Sequence, residues 1–167
     1  MNQHHSPASD RPDFSSQTAR QRWMAVFAKA RLPSMQGRLA QCDSLPHYHY
    51  LRPPEIGLTM VRGRAGGTGQ LFNLGEMTMT RCVVQLDETV EGQVISGFGY
   101  VAGRSQQHAE LAAWGDALLQ HPAWQLTIYE RVVTPLAVEA RQRQAQSARQ
   151  TEATQVNFFT LLRGEVS

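Results

Sequence analysis

The 167-residue chain contains two cysteines, one lysine and 18% charged residues, and it has no long apolar run. Cys42 and Cys82 stand far apart in no ligand pattern, which excludes a disulfide scaffold and suits small core residues in a reducing compartment. No segment approaches the roughly 18 apolar residues of a membrane span, and the start M1-N-Q-H-H-S-P-A-S-D is neither an apolar secretory leader nor a basic transit peptide. A cytoplasmic protein with no membrane association is expected. A net charge of +2 with scattered basic residues gives no stripe for nucleic acid. The scarcity of lysine leaves arginine as nearly the sole basic residue, fifteen against Lys29. Coding-genome bias accounts for this as well as a need for planar anion-binding forks does.

What is present indicates one domain. Residues 1–16 are rich in His, Ser, Pro and Asp and read as a disordered tail that includes His4 and His5, so residues 17–167 form a single domain. From Gln17, the spacing of Trp23, Val26, Phe27 and Ala30 predicts a helix, and Pro33 with Ser34 opens a second through Leu39. His47 to Leu51, Ile56 to Arg62, Leu71 to Leu86 and Gln93 to Val101 read as strands with connections too short for parallel crossovers. A central helix from Gln106 to Gln120, capped by Ser105, carries Leu111, Trp114, Gly115, Leu118 and Leu119 on one stripe. Trp124, Leu126 and Ile128 alternate with polar residues and predict a further strand running on to Val133. Thr134 as cap and Pro135 at the first helical position then begin a long, polar C-terminal helix. The expected fold is α+β: an antiparallel sheet of about four or five strands packed by the N-terminal helices, the central helix and the C-terminal helix. An apolar tail, V156-N-F-F-T-L-L-R-G164, follows it and reads either as part of the core or as a docking segment for another subunit.

The chemistry-bearing motifs are few. His108 and Glu110 head the central helix as H-x-E, half the signature of a zinc nucleotide deaminase. The Pro-Cys-x-x-Cys that must complete the metal shell is missing, and residues two apart on a helix point to different faces, so no metal site is expected. The bland reading makes His108 a half-buried structural residue and Glu110 an acid that suits the helix dipole in the first turn. The functional reading makes His108, Glu110 and Arg104 candidate catalytic residues facing an anionic group. In R62-G-R-A-G-G-T-G69, Arg64, Gly66, Gly67, Thr68 and Gly69 are phosphate-binding candidates. The stretch lacks a P-loop ending and is already explained as a plain hairpin with glycines at positive φ. His47 and His49 alternate on one strand face without further ligands nearby. A stand-alone nucleotide or phosphate binder is the alternative function these residues leave open.

Taken in order, R20-Q-R-W-M24, E55-I-G-L58, R64-A-G-G-T-G69, G75-E-M-T-M-T-R81, G103-R-S-Q-Q-H-A-E110, D116-A-L-L119, Pro135-Leu136 and T154-Q-V-N-F-F-T-L-L-R-G164 resemble the PhnG family over roughly Thr18 to Glu165. The resemblance implies a subunit of the carbon-phosphorus lyase core complex of phosphonate catabolism, with PhnI-, PhnH- and PhnJ-like core subunits and PhnL- and PhnK-like ATPases as partners. It implies a mainly structural or accessory part in transferring the ribose triphosphate of ATP to a phosphonate, with catalysis placed on the PhnI-like subunit. No cofactor is then expected on this chain alone, ATP being a substrate of the complex. The iron-sulfur cluster of the PhnJ-like subunit needs more cysteines than this chain has.

Overall fold

The computed structural model describes Phe14 and residues 16–153. Most of the expected tail and all of the apolar segment from Val156 lie outside the described residues. Phe14, within that expected tail, sets its ring edge-on to Tyr129 at 5.4 Å.

Two helices lead the described residues. Helix α1, Gln17–Lys29, is capped by Ser16, whose side chain accepts from the Ala19 N–H, and it buries Trp23 and Phe27, one turn apart. Helix α2, Leu32–Leu39, repeats that spacing with Met35 and Leu39. The sheet follows as an antiparallel meander in the order β1-β2-β3, with β1 at Tyr48–Arg64, β2 at Leu71–Val90 and β3 at Gln93–Ala102. Alternate residues of β2, Thr80, Cys82, Val84 and Leu86, face the core, and β3 adds Ile95 and Val101 to the same face. Helix α3, Gln106–Gln120, lies on that face.

The contact between α3 and β3 is unusually close. A Cβ at Gly97 would sit 2.0 Å from the Ala113 carbonyl oxygen, and one at Gly99 would sit 1.9 Å from that of Ala109. Only glycine on the strand, opposite alanines on the helix, permits this approach. Helix α1 runs antiparallel to α3 on the other side, Phe27 meeting His108 and Trp23 meeting Asp116.

The α+β class with an antiparallel sheet holds, and among the described residues the sheet has three strands where about four or five were expected. His47–Leu51 and Ile56–Arg62 belong to one strand, β1, whose register shifts between Tyr50 and Glu55, around Pro53 and Pro54. Prolines there cost no ladder bonds to a third strand, because β1 is at the sheet edge. The strand expected from Trp124 to Val133 is helical instead: α4, Gln125–Ile128, runs through a π turn, Tyr129–Val133, into α5, Thr134–Ala153. Buried Ile128, Val132 and Leu136 recur every four residues, and that periodicity prevails over the short alternation before it. Thr134 is accordingly no cap. Its own φ and ψ are helical, and its N–H donates to the Tyr129 carbonyl five residues back. Proline has no N–H to continue a regular ladder, and the widened turn falls immediately before Pro135.

Beyond the end of β3, which pairs Ala102 with Met79, strands β1 and β2 continue alone as a ribbon to a tip at Arg64 and Leu71. At about 3.3 Å per residue this arm extends roughly 25 Å past the sheet.

Candidate functional site at the head of the central helix

Ser105 caps α3, its side-chain oxygen accepting from the His108 N–H at 3.3 Å. The helix begins at Gln106, so Glu110 is its fifth residue and no acid occupies the first turn. The dipole role expected for Glu110 in the first turn is therefore not its position. Glu110 instead faces β1, where the hydroxyls of Tyr48 and Tyr50 both donate to its Oε1 at 2.5 Å. His108 points the other way. Its ring is buried, and Nε2 lies 2.7 Å from the carbonyl oxygen of Phe27 near the end of α1. A carbonyl only accepts, so Nε2 carries the proton in this arrangement. Arg104 is exposed before the helix. The three catalytic candidates thus diverge: one points to α1, one to β1 and one lies on the surface.

The two tyrosines that Glu110 holds line a cleft of about 860 Å³ whose walls include Leu39, Cys42, Leu45, Leu111 and Trp114. Trp114 is fixed by its indole N–H, which donates to the Pro46 carbonyl at 3.2 Å, and its ring lies 5.3 Å from that of Tyr48. The carboxylate governs the neighbouring acids. Its hydrogen bond, with partial burial, pushes Tyr50 up to about 12, while burial first and Glu110 second raise Tyr48 further. Burial, with a smaller contribution from the Glu110 charge, pushes the Cys82 thiol up to about 11. Burial also raises Cys42. These are neutral donors around a fixed acceptor, with no activated nucleophile among them. Such a rim can accept a donor-bearing ligand or seat a neighbouring chain. Among the described residues, no three His, Cys, Asp or Glu side chains come together in a way that could hold a metal ion.

The phosphate candidates lie elsewhere. Arg64, Gly66, Gly67, Thr68 and Gly69 form the tip of the β1–β2 arm, with Gly66 and Gly67 at positive φ in a short 3₁₀ turn, and Arg64 Nη1 donates to the Gly69 carbonyl of the same loop. Arg64 lies fourteen steps along β1 from Tyr50, about 45 Å of strand, so the loop and the cleft cannot share one small ligand. Of the two histidines, His47 lines the cleft beside Pro46 and Tyr48, whereas His49 stays apart from it, its Nδ1 2.7 Å from Asp87 on the face opposite the tyrosines.

The most densely bonded polar group is one that motif reasoning did not single out. Asp116 of α3 is fully buried. Its Oδ1 accepts from Arg20 Nε at 3.1 Å and Trp23 Nε1 at 2.9 Å, and its Oδ2 from Arg20 Nη2 at 2.6 Å and the Phe98 N–H at 3.0 Å. One carboxylate thereby ties α1, α3 and the outer edge of β3 together. Tyr48, Tyr50 and Trp114 were missed as well. The tyrosines' only sequence signal was the alternation that puts them, and not the intervening His49, on the helix-facing side of β1, and that of Trp114 was its place on the stripe of the central helix.

A second knot holds the root of the arm. Glu55 pairs with Arg81 across the ladder and with Arg52 at 3.3 Å, and the Gln106 amide donates to the Pro54 carbonyl at 3.2 Å. The family model described as "Phosphonate metabolism protein PhnG" matches residues 18–164. The alpha-D-ribose 1-methylphosphonate 5-triphosphate synthase subunit PhnG of Rhizobium meliloti (strain 1021) is 37% identical over 161 residues, covering 95% of this chain and 97% of that protein.

Proposed function

The chain belongs to the PhnG family of phosphonate metabolism proteins, and from that premise we propose that it is the PhnG-type subunit of a ribose 1-methylphosphonate 5-triphosphate synthase, accessory to a catalytic centre on another subunit. The observation that carries this reading is the divergence of His108, Glu110 and Arg104: Phe27 and the tyrosine pair already engage the first two, and the phosphate-binding candidates lie some tens of ångströms away at the arm tip. A side chain that holds two helices together and a carboxylate that holds a strand are parts of a scaffold. The partners proposed are PhnI-, PhnH- and PhnJ-like core subunits with PhnL- and PhnK-like ATPases, in the cytoplasm. ATP enters as a substrate of the assembly, and no cofactor is assigned to this chain. No helix among the described residues is long and apolar enough to cross a membrane.

The test is a reconstituted complex carrying His108→Ala or Glu110→Gln. An accessory role predicts turnover within about threefold of the unsubstituted complex once assembly is matched, with any loss following the fraction assembled. A drop of a hundredfold or more in kcat at full assembly would place these side chains in the chemistry and overturn the accessory reading.

A further inference from the structure

The β1–β2 arm presents apolar side chains on both of its faces. On the face continuous with the core side of the sheet stand Ile56, Leu58 and Met60, whose partners Thr80, Thr78 and Glu76 share that face. On the opposite face stand Met77, opposite Thr59, and Phe72, opposite Gly63, joined by Leu74, whose side chain lies over Gly63. Leu58 is 66% exposed and Leu74 61%. A two-stranded ribbon is marginal in water by itself, and a long apolar ribbon with unpaired edges is an invitation to misassociation unless it is covered. A flat surface could cover one face only. Apolar residues on both call for an occupant that surrounds the arm.

The charges indicate what that occupant offers. Arg62 and Arg64 share one face near the tip, Glu76 is the acid paired opposite Met60 on that face, and the other arm-root acid, Glu55, is already held by Arg81 and Arg52. The tip therefore carries net positive charge at the end of an apolar shaft. Resting on the subunit role above, we propose that the arm inserts as a whole into an apolar groove of another subunit of the synthase complex, with acidic residues placed to meet Arg62 and Arg64. Main-chain groups of β2 from Leu71 to Thr78, on the edge that pairs with no strand among the described residues, would add ladder bonds to that subunit.

The experiment co-expresses this chain with the other subunits of the complex, one of them tagged, and compares four forms: unsubstituted, Leu58→Asp with Leu74→Asp, Arg62→Glu with Arg64→Glu, and a form lacking residues 154–167. The first pair charges both faces at exposed positions, and thermal unfolding of the isolated chain checks that the fold is kept. Recovery of this chain with the tagged subunit is expected to fall at least a hundredfold for the first pair. For the second it is expected to fall about tenfold, with weaker salt dependence than the unsubstituted complex shows. Recovery at the unsubstituted level for both pairs overturns the arm proposal. So does loss confined to self-association of this chain, which would make a second copy the occupant. Loss seen only when residues 154–167 are removed overturns it in favour of the C-terminal segment. If the unsubstituted chain joins no subunit, the subunit reading itself fails. Should the aspartate pair unfold the chain, the arginine pair decides.

Discussion

Replacing Asp116 by Asn tests whether the buried carboxylate is the main polar tie of the fold. The substitution keeps volume and one oxygen but puts an NH₂ where the other oxygen stood, facing Arg20 and either the Trp23 indole or the Phe98 N–H, all of them donors. On either oxygen the losses are similar: Oδ1 serves Arg20 Nε and the Trp23 indole, Oδ2 serves Arg20 Nη2, the Phe98 N–H and, at 3.4 Å, the Gln120 amide. Breaking a buried charge pair by removing one partner costs about 3–5 kcal/mol, and hydrogen bonds to charged groups contribute about 1.5–3 kcal/mol each. The Arg20 side chain is 32% exposed and can turn to water, which argues for the lower end, about 3 kcal/mol. For a chain of this size each kcal/mol shifts Tm by about 2–4 °C, so a fall of roughly 6–12 °C is expected in thermal unfolding followed by circular dichroism. Arg20→Gln should cost less, about 1 kcal/mol, since the Trp23 and Phe98 donors keep their acceptor. An unfolding free energy from urea titration of Asp116→Asn within about 1 kcal/mol of that of the unsubstituted chain would refute the assignment.

Two further outcomes follow from the same packing and site. Gly99→Ala places a methyl 1.9 Å from the Ala109 carbonyl, so α3 must retreat by roughly 1.5 Å to restore contact distance, costing about 3 kcal/mol in a urea titration. An unchanged midpoint would mean that the helix does not lie so close to the strand. Tyr50 ionises near 10 when unfolded and at about 12 in the fold, and Tyr48 shifts in the same direction. Over that window the unfolded chain binds fewer protons, so this contribution to stability is complete below about pH 10 and is lost as pH rises through 12. Absorbance titration of the phenols should show two late ionisations, and Glu110→Gln should move Tyr50 back toward 10. Unaltered phenol titration in that variant would break the link to Glu110.

How much was legible beforehand depended on how local each feature is. The Ser105 cap, the paired turns of α1 and α2, and the hairpin with glycines at its tip rest on a few neighbouring residues, and they appear where the sequence placed them. The segment from Trp124 to Val133 was misjudged because five residues of alternation resemble a strand, whereas the spacing of Ile128, Val132 and Leu136 acquires meaning only when a core exists to bury that side. The site divided in the same way. Two residues of separation already implied that His108 and Glu110 face apart, but not which groups each would meet.

By itself the sequence determined a capped central helix, a meander of strands and a family whose motifs run the length of the chain. Tertiary structure decided what those motifs do together: that Arg20, Trp23 and Asp116, up to 96 residues apart, form one buried knot, and that tyrosines rather than histidines meet Glu110. It also decided that β1 and β2 outrun the third strand and leave an apolar arm in the open. The reason is common to all three. Helix caps and turns are stabilised by bonds among near neighbours, whereas the partner of a buried charge and the cover of an apolar strand are set by which elements pack together.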